Sequence, residues 1–214
     1  MREMSLALLL AACAVVVAGE AAPPPGVSKE EAAEGFVSLF DGKTLDGWEG
    51  APPGCYVAED GMLVCTRRHS KMLFTTKDYA DFVFRFEFRQ QPRSRGNNGI
   101  ALRSPLGRKI IEIQMYNDHH PSAKKLKPYQ LHGSIYGVVP AKTGHLKQPG
   151  EWNSQEIFVQ ARRIRVTLNG AVIAEADMAK VAGGKRFRRA TGRIAFCGHH
   201  NRIEFRNLRI KELK

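Results

Sequence analysis

The sequence FVFRFEFR occupies residues 82–89 and alternates phenylalanine with valine, arginine and glutamate. Successive side chains of a β-strand point to opposite faces, so this pattern places the aromatic rings on one face and mostly charged groups on the other. Strands of antiparallel sheets commonly cover a core with one face only. The stretch therefore indicates an antiparallel sheet with one buried face.

Shorter strand candidates recur along the rest of the chain, with Gly, Pro and Asn between them. They are 110–116, 134–139, 156–161, 163–168, 171–176, 193–197 and 202–210. Asn169-Gly170 joins two of them and is a strong signal for a tight hairpin. Ser28 and Glu31 have the spacing of a capping box, which predicts one short helix at 29–34. We therefore expect an all-β fold, a two-sheet antiparallel jelly-roll sandwich with one short N-terminal helix.

The N-terminus has the pattern of an export signal. Arg2 precedes an apolar run, residues 6–18, and small residues follow, which predicts a signal peptide over residues 1–21. The residues before Cys13 also resemble a bacterial lipobox, which would make Cys13 a lipid anchor. The apolar run is shorter than a membrane span requires. We therefore expect an exported protein, periplasmic or at the cell surface, with no transmembrane segment.

The remainder of the chain fits a single domain. Residues 22–34 contain a proline-rich linker and the short helix, and residues 35–214 contain the strand candidates. A length of this order suits one β-sandwich. The long segment 117–133 lacks periodicity, and a loop of that length beside a polar strand is more often functional than accidental. We therefore predict one β-sandwich domain, with a functional loop at its rim.

The formal net charge of +12 gives no evidence for a nucleic-acid partner. The basic residues are scattered among strand faces and one loop, 185–189, and form no helical stripe. No nucleic-acid module signature is present. We interpret the charge as an aid to solubility and expect no nucleic-acid partner.

Cys55 and Cys65 flank a predicted hairpin, and the length of its turn decides their relationship. A three-residue turn, 59–61, places the two residues opposite each other, where an oxidising compartment would allow a disulfide. A turn that is one residue shorter shifts the register and breaks the pairing. The sequence leaves both outcomes open. We expect Cys197 to be a buried thiol, because no motif activates it.

The candidate strand 110–116 carries unusual polar groups. Ile111, Ile113 and Met115 share one face, and the opposite face carries Glu112, Gln114 and Tyr116. An acid, an amide and a phenol on one strand face are suited to a polyhydroxylated ligand. The pattern therefore predicts a polar groove on one side of a sheet.

Residues 35–48, GFVSLFDGKTLDGW, resemble the opening motif of the 3-keto-disaccharide hydrolase domain family. The resemblance continues in order through 96–103, 111–118, 133–136, 149–153, 168–170 and 205–210. It implies a concanavalin A-like sandwich, exported by bacteria, that acts on glycosides already oxidised to a ketone at C3 of the sugar. It also implies a partner oxidoreductase that makes the ketone. One departure is that the family usually has Gln and then Asp-His-Gly near the C-terminus, whereas this chain has Cys197-Gly198-His199-His200 and keeps only the His, at His199.

Such a substrate suggests a specific set of catalytic roles. A ketone at C3 acidifies the C2 proton, so a base can form an enolate, the C1 substituent leaves by elimination, and water adds back. Glu112 is our candidate base, and Arg103 is the candidate for holding the ketone oxygen or enolate. Asp118, His199 or Tyr136 would protonate the leaving oxygen.

Further polar and aromatic residues are candidates for binding the substrate, an oxidised oligosaccharide or glycoside. They are Asn98, Gln114, Tyr136, Trp152 and Lys142. We expect no cofactor and no metal site, because adjacent histidines on a strand face opposite ways and the spacing of a structural zinc site is absent. A divalent metal remains open.

Two other functions remain in view. A non-catalytic carbohydrate-binding module of the same fold would also present a polar groove, and Glu112 would then be a strand residue paired with Arg103. A glucanase acting on unoxidised polysaccharide is less well supported, because Gln114 stands where the middle carboxylate of a laminarinase-like strand would be. Release of sugar from a 3-keto glycoside would separate an enzyme from a module.

Overall fold

The computed structural model describes residues 25–66 and 71–214, and within them two antiparallel sheets pack face to face. The predicted signal peptide, with Cys13, lies outside the described residues. None of the helices in the described part of the chain is long and apolar enough to cross a membrane.

The strands are β1 (Val37–Ser38), β2 (Trp48–Glu49), β3 (Tyr56–Glu59), β4 (Met62–Cys65), β5 (Met72–Thr75), β6 (Phe82–Gln90), β7 (Asn98–Ser104), β8 (Ile111–Met115), β9 (Asn153–Gln160), β10 (Arg163–Leu168), β11 (Ala171–Asp177), β12 (Arg193–Cys197) and β13 (Ile203–Glu212).

The larger sheet has the strand order β11-β10-β9-β6-β13-β4-β3, and β1 also pairs with β13. The smaller sheet has the order β2-β5-β12-β7-β8. Neighbouring strands are antiparallel in both sheets. The predicted all-β sandwich is therefore confirmed.

The core lies between the sheets and is rich in phenylalanine. The side chains of β6 alternate between buried and half-buried, and the four Phe rings of this strand point inward as predicted. From the facing sheet, Phe196 lies with its ring centroid 4.4 Å from that of Phe205. Burying one such ring fully contributes about 2 kcal/mol relative to leaving it in water.

The short N-terminal helix is confirmed as α1, Lys29–Ala33, with Ser28 as its N-cap. Glu31 completes the capping box and also reaches the larger sheet. Its carboxylate accepts hydrogen bonds from Arg85 Nη1 at 3.0 Å and Arg209 Nε at 2.6 Å. One glutamate therefore caps the helix and fixes it to the outer face of the sheet.

The predicted strand at 134–139 is wrong. Ile135 instead forms isolated bridges with Ile113 and with Val139. Gly133 has φ +76° and Gly137 has φ +70°, so the backbone turns just before this segment and again within it instead of extending. The segment is therefore a tight loop against the edge strand β8.

The Cys55–Cys65 pairing requires a three-residue turn, and the structure has the shorter turn. Glu59 pairs with Met62, so Asp60 and Gly61 alone form the turn. Cys65 then lies opposite Tyr56, one position away from Cys55. Cys55, Cys65 and Cys197 are buried free thiols, which confirms the interpretation of Cys197 and excludes the disulfide in this structure.

The loop after β8 covers the outer face of the smaller sheet. It contains two 3-10 helices, Pro121–Lys125 and Pro128–Gln130. Every residue of β7 and β8 is buried, on both faces, although an uncovered sheet would expose one of them. The predicted polar groove is therefore a partly enclosed cleft.

Candidate functional site

A cavity of about 220 Å³ lies on the outer face of the smaller sheet. The sheet supplies its floor, and the loops before and after β8 supply its walls. Its lining residues are Asn97, Lys109, Glu112, Gln114, Tyr116, Leu126, Gln130, Tyr136 and His199. This lining combines a carboxylate, an ammonium group, an imidazole, amides and phenols in a space that suits one sugar ring.

Glu112 lies on the floor of the cavity and is almost completely buried, with 5% of its surface exposed. Gly99 of β7 faces Gln114 of β8, next to Glu112. A Cβ atom at Gly99 would lie 2.0 Å from Oε1 of Glu112 and 2.6 Å from its carboxyl carbon. The Glu112 carboxylate therefore occupies space that is free only because residue 99 is glycine.

Lys109 is the ionic partner of Glu112, and its ammonium group donates a short hydrogen bond to Oε2. Burial raises the pKa of Glu112 above its ordinary value, and the hydrogen bond and charge of Lys109 only partly oppose this. Burial also lowers the pKa of Lys109, but the hydrogen bond and the charge of Glu112 outweigh this effect and raise it. The site therefore holds a cation beside a carboxylate that accepts a proton more readily than an exposed glutamate does.

His199 lines the cavity next to this ion pair. Burial lowers the pKa of His199, and the nearby charges of Lys109 and His200 lower it further. Cys197, two residues earlier, is buried, and both burial and the charge of Glu112 raise the pKa of its thiol. Burial therefore favours the neutral form of both groups, the imidazole of His199 and the thiol of Cys197.

Tyr136 stands in the wall opposite the floor. Gln130 Nε2 donates a hydrogen bond to its hydroxyl oxygen at 3.1 Å, which leaves the phenolic proton free for another acceptor. The ammonium group of Lys109 lies 5.7 Å from its ring centroid. Tyr136 is thus held beside the same cation that contacts Glu112.

The structure brings four of the predicted site residues together in the cavity. They are Glu112, Gln114, Tyr136 and His199. Their convergence follows from the register of the β7–β8 hairpin and from the return of the chain at 133–136 beside β8. The predicted polar face of β8 is therefore present.

Arg103 does not join them, and the prediction that it faces the groove with Glu112 is wrong. Arg103 has φ +43° at a β-bulge where β7 and β12 change register. Its guanidinium is buried and donates to the carbonyl oxygens of Ala80 (2.7 Å) and Ala161 (2.6 Å) and to Asp81 Oδ1 (2.6 Å). A bulge redirects side chains, and here it turns Arg103 away from the cavity to join the two sheets at their rim.

Asp118 and Asn98 are also outside the cavity lining, which corrects their predicted roles. Asp118 Oδ1 accepts the backbone N–H of His132 at 3.0 Å and so fixes the base of the loop. Asn98 lies opposite Met115, and its neighbour Gly99 faces the cavity. Because successive residues of a strand face opposite sides, the side chain of Asn98 points to the core. Its neighbour Asn97 lines the cavity instead.

Trp152 and Lys142 lie elsewhere on the surface of the sandwich. The ring of Trp152 lies between Arg89 and Arg206 on the outer face of the larger sheet, with guanidinium carbons 4.7 Å and 4.0 Å from its centroid. Lys142 is exposed, and its backbone N–H donates to the carbonyl of Ile173 at 2.8 Å. Their predicted contacts with the same substrate are therefore not supported by their positions.

The cavity also contains residues that the sequence analysis did not propose as site residues. Lys109, Asn97 and Gln130 were missed, and Tyr116 was placed on the polar face without a role. Lys109 precedes Glu112 by three residues in the loop that enters β8, and a basic residue so close to a candidate base was the available signal. Among the described residues, no group of three or more His, Cys, Asp or Glu side chains is placed to hold a metal ion.

Comparisons with known proteins place this geometry in a family context. The 3-keto-alpha-glucoside-1,2-lyase-like domain matches residues 35–211. The 3-keto-disaccharide hydrolase of Bacteroides thetaiotaomicron is 24% identical over an alignment 234 positions long, gaps included, which covers 85% of this chain and 79% of that protein.

Solved structures share the same sandwich. Two crystal structures of inferred glycosyl hydrolases from Parabacteroides distasonis superpose with TM-scores of 0.75 and 0.74, at 24% and 27% identity. The first covers 88% of this chain and 98% of its own, and the second covers 83% and 99%. The carbohydrate-binding module CBM66 of Bacillus subtilis has a TM-score of 0.54 at 10% identity over 78% of this chain and 96% of its own, so it shows likeness of fold alone.

Proposed function

The chain belongs to the 3-keto-alpha-glucoside-1,2-lyase-like domain family, and we propose that it cleaves glycosides whose sugar carries a ketone at C3. Membership of this family supports a glycoside-acting function of the 3-keto-disaccharide hydrolase type. The observation that carries the finer proposal is the buried Glu112–Lys109 pair on the cavity floor, with His199 and Tyr136 beside it.

Glu112 is the proposed base. A ketone at C3 makes the C2 proton acidic, and a carboxylate with a raised pKa is better matched to removing that proton near neutral pH than an ordinary glutamate is. Its burial also limits competition from water for the same carboxylate. Glu112 takes the proton from C2, and the electron pair of the C2–H bond moves to form an enolate with its negative charge on the C3 oxygen.

Lys109 is the proposed stabiliser of that enolate, in the role that Arg103 cannot fill from its position. The C3 oxygen is attached to the carbon next to C2, so a cation beside the base is placed near the developing charge. An ammonium group in a partly dry site stabilises an oxyanion more strongly than one in bulk water. Lys109 touches Glu112, and its raised pKa keeps it charged.

Tyr136 is the proposed acid for the leaving oxygen, because its phenolic proton is not used by Gln130, whereas the lowered pKa of His199 favours the imidazole without an extra proton. As the enolate collapses, the C1–O bond breaks, and the leaving oxygen takes a proton while a C1–C2 double bond forms. Glu112 exchanges the abstracted proton with solvent. Water then adds at C1, and C2 receives a solvent-derived proton from Glu112, so the net reaction is hydrolysis. Tyr136 and His199 both line the cavity beside Lys109, whereas Asp118 does not.

Gln114 and Asn97 are proposed to bind the sugar hydroxyls. Gln114 Nε2 lies 3.4 Å from Asn97 Oδ1, a weak contact that a ligand hydroxyl can replace. We further propose, from the N-terminal sequence, that the protein is exported, and from the substrate chemistry that a separate oxidoreductase supplies the ketone.

The direct test is incubation of the protein with a 3-keto disaccharide and with a chromogenic 3-keto glucoside, each compared with its unoxidised counterpart. We expect release of sugar and chromophore from the oxidised substrates only. Binding without release would instead identify a carbohydrate-binding module. Cleavage of the unoxidised glycosides would contradict the elimination route, because their C2 proton is not acidic.

A further inference from the structure

A second cavity, of about 330 Å³, adjoins the first at the end of β12. The two cavities share Lys109 and His199, and Glu112 lines the first cavity only. The second cavity is lined by Lys71, Met72, Gly107, Lys109, Cys197, Gly198 and His199. The groove therefore has two compartments that meet at an ammonium group and an imidazole.

We propose that the second cavity is the subsite for the leaving group and that it prefers a ring carrying a carboxylate. This inference rests on the proposed function, because the position of Glu112 decides which cavity holds the oxidised sugar. With C2 of that sugar at Glu112, a substituent on C1 extends past the shared boundary. The scissile bond would then lie between Lys109 and His199.

The floor of the second cavity suits the face of a ring. Met72 is half-buried there, and its thioether packs on the apolar cluster that includes Cys197. A polarizable thioether contacts aromatic rings favourably and adapts to the shape of a ligand. Such a floor suits an aryl group or the apolar face of a sugar.

Two glycines line this compartment with backbone alone. A Cβ atom at Gly198 would lie 2.9 Å from Cys65 Sγ and 2.9 Å from Tyr56 Oη, so any side chain there would collide with the core. Gly107 has φ +82° in the loop between β7 and β8, and a Cβ atom there would meet nothing within 4 Å. The requirement for glycine at position 198 therefore comes from the core beneath the compartment.

The charge of the second cavity suits an anion. Lys71 and Lys109 both line it, and neither Asp nor Glu is among the described residues of its lining. Lys109 is paired with Glu112, whereas Lys71 is exposed and has no carboxylate within salt-bridge distance among the described residues. The backbone of Lys71 is fixed, because its carbonyl accepts the N–H of Gly198 at 3.1 Å. An acidic group on the leaving ring would therefore meet an ammonium group that has no carboxylate partner among the described residues and that extends from a fixed backbone.

The experiment compares two 3-keto glucosides, one of 4-hydroxybenzoate and one of its methyl ester. The preference is the ratio of kcat/KM for the acid to kcat/KM for the ester, measured in the full chain and in its variants. The preference of the wild type is then divided by the preference of each variant. This division removes the difference in intrinsic reactivity between the two leaving groups. We expect Lys71→Gln to lower the preference about fivefold, as loss of one partly exposed ion pair would, and Lys71→Glu to lower it further.

Lys185→Gln is the matched control, because Lys185 is exposed and lies in the short 3-10 helix Gly184–Arg186, outside both cavities. It should leave the preference unchanged, and added salt should weaken the preference of the wild type. An unchanged preference in both Lys71 variants would overturn the inference. If neither glycoside is cleaved, the proposed function fails. The subsite is then tested by calorimetric binding of the same two compounds, where equal affinities would overturn it.

Discussion

Gly99 and Glu112 lie on adjacent strands of the smaller sheet, and the carboxylate of Glu112 occupies the space that a side chain at position 99 would need. A Cβ atom there would lie 2.0 Å from Oε1 of Glu112 and 2.6 Å from its Cγ. Gly99 is not in a left-handed conformation, so its backbone would accept alanine. The requirement for glycine therefore comes from the position of the glutamate.

Gly99→Ala should displace the carboxylate and lower kcat/KM by at least about tenfold, since small misplacements of a catalytic group carry large costs. Overpacking should also cost about 1–3 kcal/mol of stability, which denaturant unfolding would measure. The control is Gly192→Ala, whose Cβ would lie 2.3 Å from the carbonyl carbon of Arg103 at the far rim. It should lose stability but keep its activity per folded molecule. Full activity in Gly99→Ala would show that the carboxylate position is unimportant.

The pH–rate profile should reveal the raised pKa of Glu112. A base must be ionised, so kcat/KM should fall on the acid side around a pKa above the ordinary value of 4.5. Lys109→Met removes a cation that lowers this pKa, so the acid limb should move to higher pH. A limb that stays in place in Lys109→Met would contradict the pairing of the two groups. Lys185→Gln serves again as the charge-matched control.

Arg103 should be important for stability and not for chemistry. Only 3% of the Arg103 side-chain surface is exposed. Its guanidinium forms an ion pair with Asp81 and donates hydrogen bonds to backbone carbonyls at the rim of the sandwich. Arg103→Leu leaves these acceptors without a donor and should cost about 3 kcal/mol of unfolding free energy. The folded fraction should keep its kcat/KM. A stable variant that has lost its activity would return Arg103 to the catalytic site.

His132 should make the fold sensitive to acid. Its ring is buried, accepts the backbone N–H of Tyr116 and lies 3.0 Å from Gln155 Oε1, and burial lowers its pKa to about 4. In the unfolded chain His132 binds a proton as the pH falls below its ordinary pKa of 6.5, whereas in the folded chain it stays neutral down to about pH 4. The free energy of unfolding therefore decreases as the pH falls from 6.5 to about 4. The loss is at most about 3 kcal/mol.

Urea unfolding at pH 7 and pH 4.5 would measure this loss. His132→Gln should flatten the dependence on pH, although the variant starts from a lower stability. His145→Gln is the control, because His145 is exposed, and it should keep the slope of the wild type. An equal slope in His132→Gln would assign the acid sensitivity to other groups.

Features encoded within a few residues were predictable from the sequence. The alternation at 82–89, the Asn169-Gly170 hairpin and the capping box at Ser28 all appear in the structure. Each depends on contacts between near neighbours in the chain, so a local pattern specifies it. The polar face of β8 was predictable for the same reason.

Features that depend on register or on a change of backbone direction were not predictable. Nothing local distinguishes a two-residue turn at Asp60-Gly61 from a three-residue one, yet that difference separates Cys55 from Cys65. The bulge that turns Arg103 to the rim depends on its pairing with β12, which lies ninety residues further on in the chain. Lys109 reaches Glu112 only because the hairpin loop folds back over the cavity.

The fate of the C2 proton tests the proposed mechanism most directly. In D2O, sugar released from a 3-keto glycoside should carry deuterium at C2 at early times, beyond the exchange seen when 3-keto glucose stands without the protein. Glu112→Gln should lose roughly a thousandfold or more in kcat, as expected for removal of a general base, whereas Glu151→Gln, an exposed carboxylate outside the cavity, should not. Release of sugar with protium retained at C2, or full turnover by Glu112→Gln, would contradict proton abstraction by this carboxylate.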